Sequence, residues 1–151
     1  MRLWLELLFG ESDKDLKCAL FFCPAYQAAR ARIVAHGGEV PVYRYVYAGN
    51  FSNVSPKGWM GAHHGAEQPM VFGTHSFVRG ESTELEYLTP YAMQDAWVSF
   101  VTTAGREMTV EGWDAKGQVD GGRVVEFGNG APARLTDATE LKRQCRDMGL
   151  S

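Results

Sequence analysis

The sequence predicts an α/β fold whose sheet is incomplete. A helix signal that runs into a strand signal between Pro24 and Tyr47 reads as half of a βαβ unit. Across all 151 residues only one further segment, Arg123-Val124-Val125-Glu126-Phe127, has good strand character. Two strands make a marginal sheet, since three or more with a covered apolar face are usually needed. No repeat, low-complexity tract or linker divides the chain, so it reads as a single partial domain over 1–151.

Taken in order, Pro24 suits the first helical position, good helix formers fill 25–35, and Gly37-Gly38 after His36 supply the stop. Val42-Tyr43-Arg44-Tyr45-Val46-Tyr47, rich in β-branched and aromatic residues and bounded by Pro41 and Gly49, predicts a strand over 42–47. Polar residues with Gly49 and Pro56 then predict a long surface loop over 48–57. Residues 59–73 bring His63, His64 and Glu67 between apolar flanks. Thr89 and Pro90 predict the cap and first turn of a helix reaching Thr103, with Leu88, Ala92, Ala96 and Phe100 at fourfold spacing and Gly105 closing it. Trp113 is expected to pack against the strand 123–127, and Thr136 to cap a last helix running to Met148.

The composition is that of a globular domain, 45% hydrophobic with a net charge of -3. Charges of both signs are interspersed and no basic stripe occurs, so nucleic-acid binding has nothing to rest on. No apolar run approaches the roughly 20 residues a transmembrane helix requires. The start, residues 1–9, is apolar, but Glu6 interrupts it and no small-residue cleavage site follows, so no signal peptide is expected in this chain. Two glycosylation triplets, Asn50-Phe51-Ser52 and Asn53-Val54-Ser55, lie in the polar loop and lean towards a secreted parent, although Pro56 weakens the second. The three cysteines, Cys18, Cys23 and Cys145, are an odd number. All three can be buried thiols; a bridge between Cys23 and Cys145 would belong to an oxidising compartment.

Among residues able to do chemistry, His64 stands beside Gly65, directly after a loop and three residues before Glu67, the exposed yet apolar-flanked setting of a general base. A metal site from His63, His64, Glu67 and His75 competes with that reading, but the usual zinc spacings are missing. Ser12, in Gly10-Glu11-Ser12, imitates the G-x-S-x-G nucleophile elbow and fails at Lys14, where the tight strand-to-helix turn needs glycine. A turn or cap role suits Ser12 better; a self-contained small hydrolase would need it to act with His64 and an acid such as Asp114. No Gly-rich phosphate loop occurs, and no cofactor is implied.

As a series these segments resemble the C-terminal third or quarter of the type-B carboxylesterases, the α/β-hydrolase family that includes cholinesterases and many fungal esterases and lipases. The resemblance covers about residues 20–148. Phe22-Cys23-Pro24-Ala25, its helix and Val42-Tyr43-Arg44-Tyr45 look like the family's CPA segment and penultimate strand. Gly61-Ala62-His63-His64-Gly65-Ala66-Glu67, followed by Val71-Phe72-Gly73, looks like its catalytic-histidine loop, G-x-x-H-G-x-E and then VFG. Met93, Trp97 and Phe100 match an M-x-x-x-W-x-x-F helix, and Trp113 with Val125-Glu126-Phe127-Gly128 matches the last strand.

The resemblance implies that His64 is the catalytic base, that Glu67 gives it a supporting hydrogen bond without being the triad acid, and that Cys23 and Cys145 form a disulfide, leaving Cys18 over. His63 departs from the family, where an aromatic residue often stands. Because the triad of this fold runs serine, acid, histidine along the chain, the elbow, the acid and the oxyanion loop belong to sequence not in this chain. The implied enzyme acts on carboxylic or lipid esters outside the cell. This chain alone is expected to be inactive, its cut sheet favouring aggregation or association with a missing N-terminal part. A non-catalytic adhesion module of the same family is the rival reading.

Overall fold

The computed structural model describes residues 18–113, 115 and 123–150. The apolar start at 1–9, Ser12 and Asp114 lie outside the described residues. Along the chain, a single π turn (Cys18–Phe22) leads directly into helix α1 (Cys23–Ala35); strand β1 (Tyr45–Tyr47), the short helix α2 (Gln68–Val71) and the long helix α3 (Glu84–Thr103) follow. Strands β2 (Arg123–Phe127) and β3 (Ala133–Asp137) and helix α4 (Thr139–Asp147) complete the described elements. No described helix is long and apolar enough to cross a membrane.

The three strands form one mixed sheet in the order β1-β2-β3. β1 runs parallel to β2, with Tyr45 opposite Val125 and Tyr47 opposite Phe127, and β3 returns antiparallel, with Glu126 opposite Arg134. That last pair is joined by an ion pair across the strands. The α/β expectation therefore holds, with one strand more than the sequence signalled, but the parallel strand-helix-strand unit is β1-α3-β2; among the described residues no strand precedes α1 to complete the unit read at 24–47. Thr136 caps nothing: it lies inside β3, opposite Val124. The turn into α4 is made instead by Asp137, whose Oδ1 accepts from Thr139 N at 2.8 Å and Thr139 Oγ1 at 2.6 Å.

Two further boundaries move. The expected strand 42–47 forms ladder pairs only from Tyr45, because Trp113 occupies the backbone upstream: its Nε1 donates to Arg44 O at 3.2 Å, and its ring meets Tyr43 edge-on at 5.3 Å. Helix α3 begins not at Thr89 but one and a half turns earlier, at Glu84. Thr83 is its cap, in a complete capping box with Glu86. Pro90 sits inside the helix, in the turn where Thr89 Oγ1 donates to Leu85 O at 2.7 Å.

β2 is central and covered on both faces: Val124, Val125 and Phe127 are all 0% exposed. On the α3 side, Val125 and Phe127 join Met93, Ala96, Met70, Trp113 and Phe51 in the main core, and Tyr45, Trp97 and Phe127 meet edge to face. A second, smaller cluster packs Cys18, Cys23 and Cys145 with Phe22, Met148 and Leu150. Within it Cys23 and Cys145 are joined in a disulfide that ties the first turn of α1 to α4 across 122 residues of sequence. Cys18 is outside the bond, and its thiol donates to Gln144 Oε1 at 3.0 Å.

Candidate active site

The loop that carries His64 springs from the end of β1, where two backbones touch. A Cβ on Gly128, which follows β2 at φ +82°, would lie 2.9 Å from Gly49 Cα, so only glycine lets the strand ends approach this closely. Beyond Gly49 the chain folds back on itself, Val54 N and Ser55 N both donating to Phe51 O at 3.2 and 2.9 Å. Ser55 Oγ then donates to Gly61 O at 2.8 Å, fastening the start of the loop to the residue three before His64.

Immediately after His64 the chain needs a conformation an L side chain resists. Gly65 has φ +81°, and with Ala66 N donating to His63 O and Gln68 N to Gly65 O it turns the backbone into α2. His64 itself is thereby presented to solvent. Its ring stacks on Phe21 of the π turn, with centroids 4.8 Å apart and an interplanar angle of 17°. An imidazole in this setting has both nitrogens at the ring edge, clear of the stacking partner, and can pass a proton to a bound group.

The other histidines lie elsewhere. His63 Nδ1 is 3.2 Å from Gly61 O, and His75 is buried in a 3-10 turn, edge-on to Tyr87 at 5.1 Å. The residues weighed as a metal set thus face three separate environments, and among the described residues no three His, Cys, Asp or Glu groups converge to hold a metal ion.

Glu67 is half-buried beneath the loop, and no hydrogen bond links it to His64 among the described residues. Its charge acts instead on two phenols. Burial, then Glu67, pushes the Tyr45 hydroxyl up from its ordinary value; burial, then Glu86, then Glu67, pushes Tyr47 much further. Glu86 is 1% exposed, with Oε2 accepting from Thr83 N at 2.8 Å while Oε1 is without a hydrogen-bond partner, as is the buried Tyr47 hydroxyl. The charges of Glu86, near the start of α3, and Glu67, just before α2, therefore both act on the phenol at the end of β1. Glu86 was readable in principle from Thr83-Glu84-Leu85-Glu86, a T-x-x-E capping pattern. Nothing local to Phe21 or Tyr47 announced either.

The two glycosylation candidates part company. Asn50 is exposed. Asn53 is 5% exposed with Nδ2 donating to Ser82 Oγ at 3.1 Å, and a nitrogen so held has no room for a glycan. Of the two triplets, the exposed Asn50 is the one the fold leaves open.

The family model described as the carboxylesterase family matches residues 13–132. Over 83 residues the chain is 46% identical to a chlorogenic acid esterase of Aspergillus niger, a match covering 55% of this chain and 16% of that protein. It is 34% identical over 122 residues to secreted lipase 5 of Gibberella zeae, covering 80% of this chain and 22% of that protein. The chain thus spans only a minor part of the length of these relatives.

Proposed function

The chain belongs to the carboxylesterase family and carries a portion of the α/β-hydrolase fold, and from that premise we propose that it supplies the catalytic histidine, His64, of a serine carboxylic ester hydrolase. The observation that carries the reading is the presentation of His64, solvent-facing on a glycine-turned loop at the end of a sheet strand within the family match.

In the proposed reaction His64 takes the proton of a serine hydroxyl as that oxygen attacks the ester carbonyl. It then gives the proton to the departing alcohol; water repeats the cycle and releases the carboxylic acid. An acid hydrogen-bonded to the other ring nitrogen would hold the tautomer. The serine in its G-x-S-x-G setting, that acid and the oxyanion donors come from the rest of the domain, since the sequence of this chain has no such elbow. The Glu67 charge acts on the Tyr45 and Tyr47 hydroxyls, after burial in both cases. The parent enzyme is extracellular; the Cys23–Cys145 disulfide suits an oxidising compartment and the exposed Asn50 a glycan. A chain lacking two triad members is inactive by itself and pairs with the rest of the domain through the sheet, whose edge at β1 carries no further strand among the described residues.

The test is hydrolysis of p-nitrophenyl acetate by the 151-residue chain and by a chimera in which it replaces the matching part of secreted lipase 5. The isolated chain should show no turnover above its His64→Ala and Ser12→Ala variants. The chimera should turn over and lose on the order of 10⁴-fold or more in kcat with His64→Ala. Turnover by the chain alone that needs both Ser12 and His64 would overturn the reading in favour of a complete small hydrolase.

A further inference from the structure

His64 and Phe21 belong to segments distant in sequence, and both side chains are exposed, so the core does not fix the imidazole. The Phe21 face is the ring contact His64 makes among the described residues. A parallel stack restrains rotation of the imidazole about its bond to the backbone while leaving the ring edge, with both nitrogens, open. That is the restraint a proton-transferring histidine needs between a hydroxyl on one side and an acid on the other.

Phe21 is in turn held at both ends of its π turn by sulfur. Cys18, at the start of the turn, is buried and donates to Gln144 of α4; Cys23, two residues after Phe21, is 0% exposed and bonded to Cys145, also of α4. Phe22 packs into the same cluster. With its neighbours anchored on α4, the exposed Phe21 ring lies against His64.

We propose that Phe21 is a positioning residue for His64, and that the Cys23–Cys145 disulfide keeps it in place, making the orientation of the imidazole sensitive to thiol reductants. A dithiol passes two electrons to the S–S bond, closes to its own cyclic disulfide, and leaves Cys23 and Cys145 as thiols; the π turn then loses its tether and the stack opens. Only the catalytic consequence rests on reading His64 as the base. The geometry stands apart from it.

The experiment is a ¹H–¹³C spectrum of the full chain with labelled histidine rings, the His64 signals assigned through His64→Gln. The expected result is a ring-current displacement of the His64 protons that disappears in Phe21→Ala, persists in Phe21→Tyr, and disappears on reduction with dithiothreitol or in Cys145→Ser. The signals of His75, which packs beside Tyr87, stay in place throughout and report that the fold survives. Unchanged His64 signals in Phe21→Ala would overturn the positioning role. If they respond to Phe21→Ala but not to reduction, or if reduction moves His75 as well, the redox dependence is overturned. In the chimera, Phe21→Ala should lower kcat with KM unchanged and Phe21→Tyr should restore it. A stack present in the spectrum of a chimera that is active without His64 would sink the general-base reading and leave this one standing, whereas a His64-dependent chimera with no stack would do the reverse.

Discussion

The sheet face under α3 and the loop that carries His64 are continuous in sequence, β1 opening straight into the loop, yet the segment around His64 is held by different means. Under α3, Phe127, Val125, Met93 and Ala96 are all 0% exposed, and aromatic edges from Tyr45, Trp97 and Trp113 close on Phe127. The loop reaches that core through Phe51, Val54 and Ala66, but around the histidine it is shaped by hydrogen bonds and by Gly61 and Gly65 at positive φ, and it leaves His64 outside with one aromatic neighbour. Stability is concentrated in the first region, and the proposed chemistry lies in the second. The largest expected effect follows directly: Phe127→Ala should cost about 3–5 kcal/mol in urea unfolding, while His64→Ala should stay within about 0.5 kcal/mol. Comparable losses would mean that the His64 side chain bears on the core after all.

The sulfur cluster tests the comparison from a third side, because it is small and owes its hold to a covalent bond. Closing 122 residues of sequence removes about 5 kcal/mol of unfolded-chain freedom in the loop-entropy model. Replacing Cys23 and Cys145 together by serine should therefore lower the unfolding free energy by about 2–5 kcal/mol, read as a fall in the urea midpoint. A loss well below that would mean that Phe22, Met148 and Leu150 hold α1 on α4 without the bond.

What the sequence made legible follows the same division. α1 and β2 stood out because local chemistry alone determines them: a proline-led helix closed by Gly37-Gly38, and an apolar strand closed by Gly128. β3 did not, because Ala133-Arg134-Leu135-Thr136-Asp137 lacks a continuous apolar run and becomes a strand through pairing with β2. The start of α3 was misplaced because Thr89-Pro90 imitates a cap, while the true signal, Thr83 with Glu86, lay a turn and a half upstream. In the site, His64 and Glu67 could be picked out by position. Glu86 was readable from its capping pattern with Thr83, but Phe21 and Tyr47 were not, since each acquires its place through a contact with a distant segment. The corrected helix start carries its own expectation: Thr83→Ala should cost about 1 kcal/mol, by urea unfolding, from the lost cap. No measurable cost would mean that Glu86 alone satisfies the helix end.

The smallest effect at neutral pH lies where the two regions meet. Burial first, and then the charges of Glu86 and Glu67, push the Tyr47 hydroxyl up from its ordinary 10.0. Folding thus favours the neutral phenol. The contribution is fully present below pH 10 and is lost as the pH climbs from there towards the folded value, because the unfolded chain releases a proton that the folded chain retains. Tyr47→Phe removes a buried hydroxyl that lacks a hydrogen-bond partner, so at pH 7 it should change stability by less than about 1 kcal/mol. Above pH 10 the variant should lose stability less steeply than the parent, Tyr45 supplying part of the slope that remains. Parallel slopes would mean that Tyr47 ionises as readily folded as unfolded. Water would then reach the floor of the His64 loop, and the boundary between packed sheet and open site would lie deeper than β1.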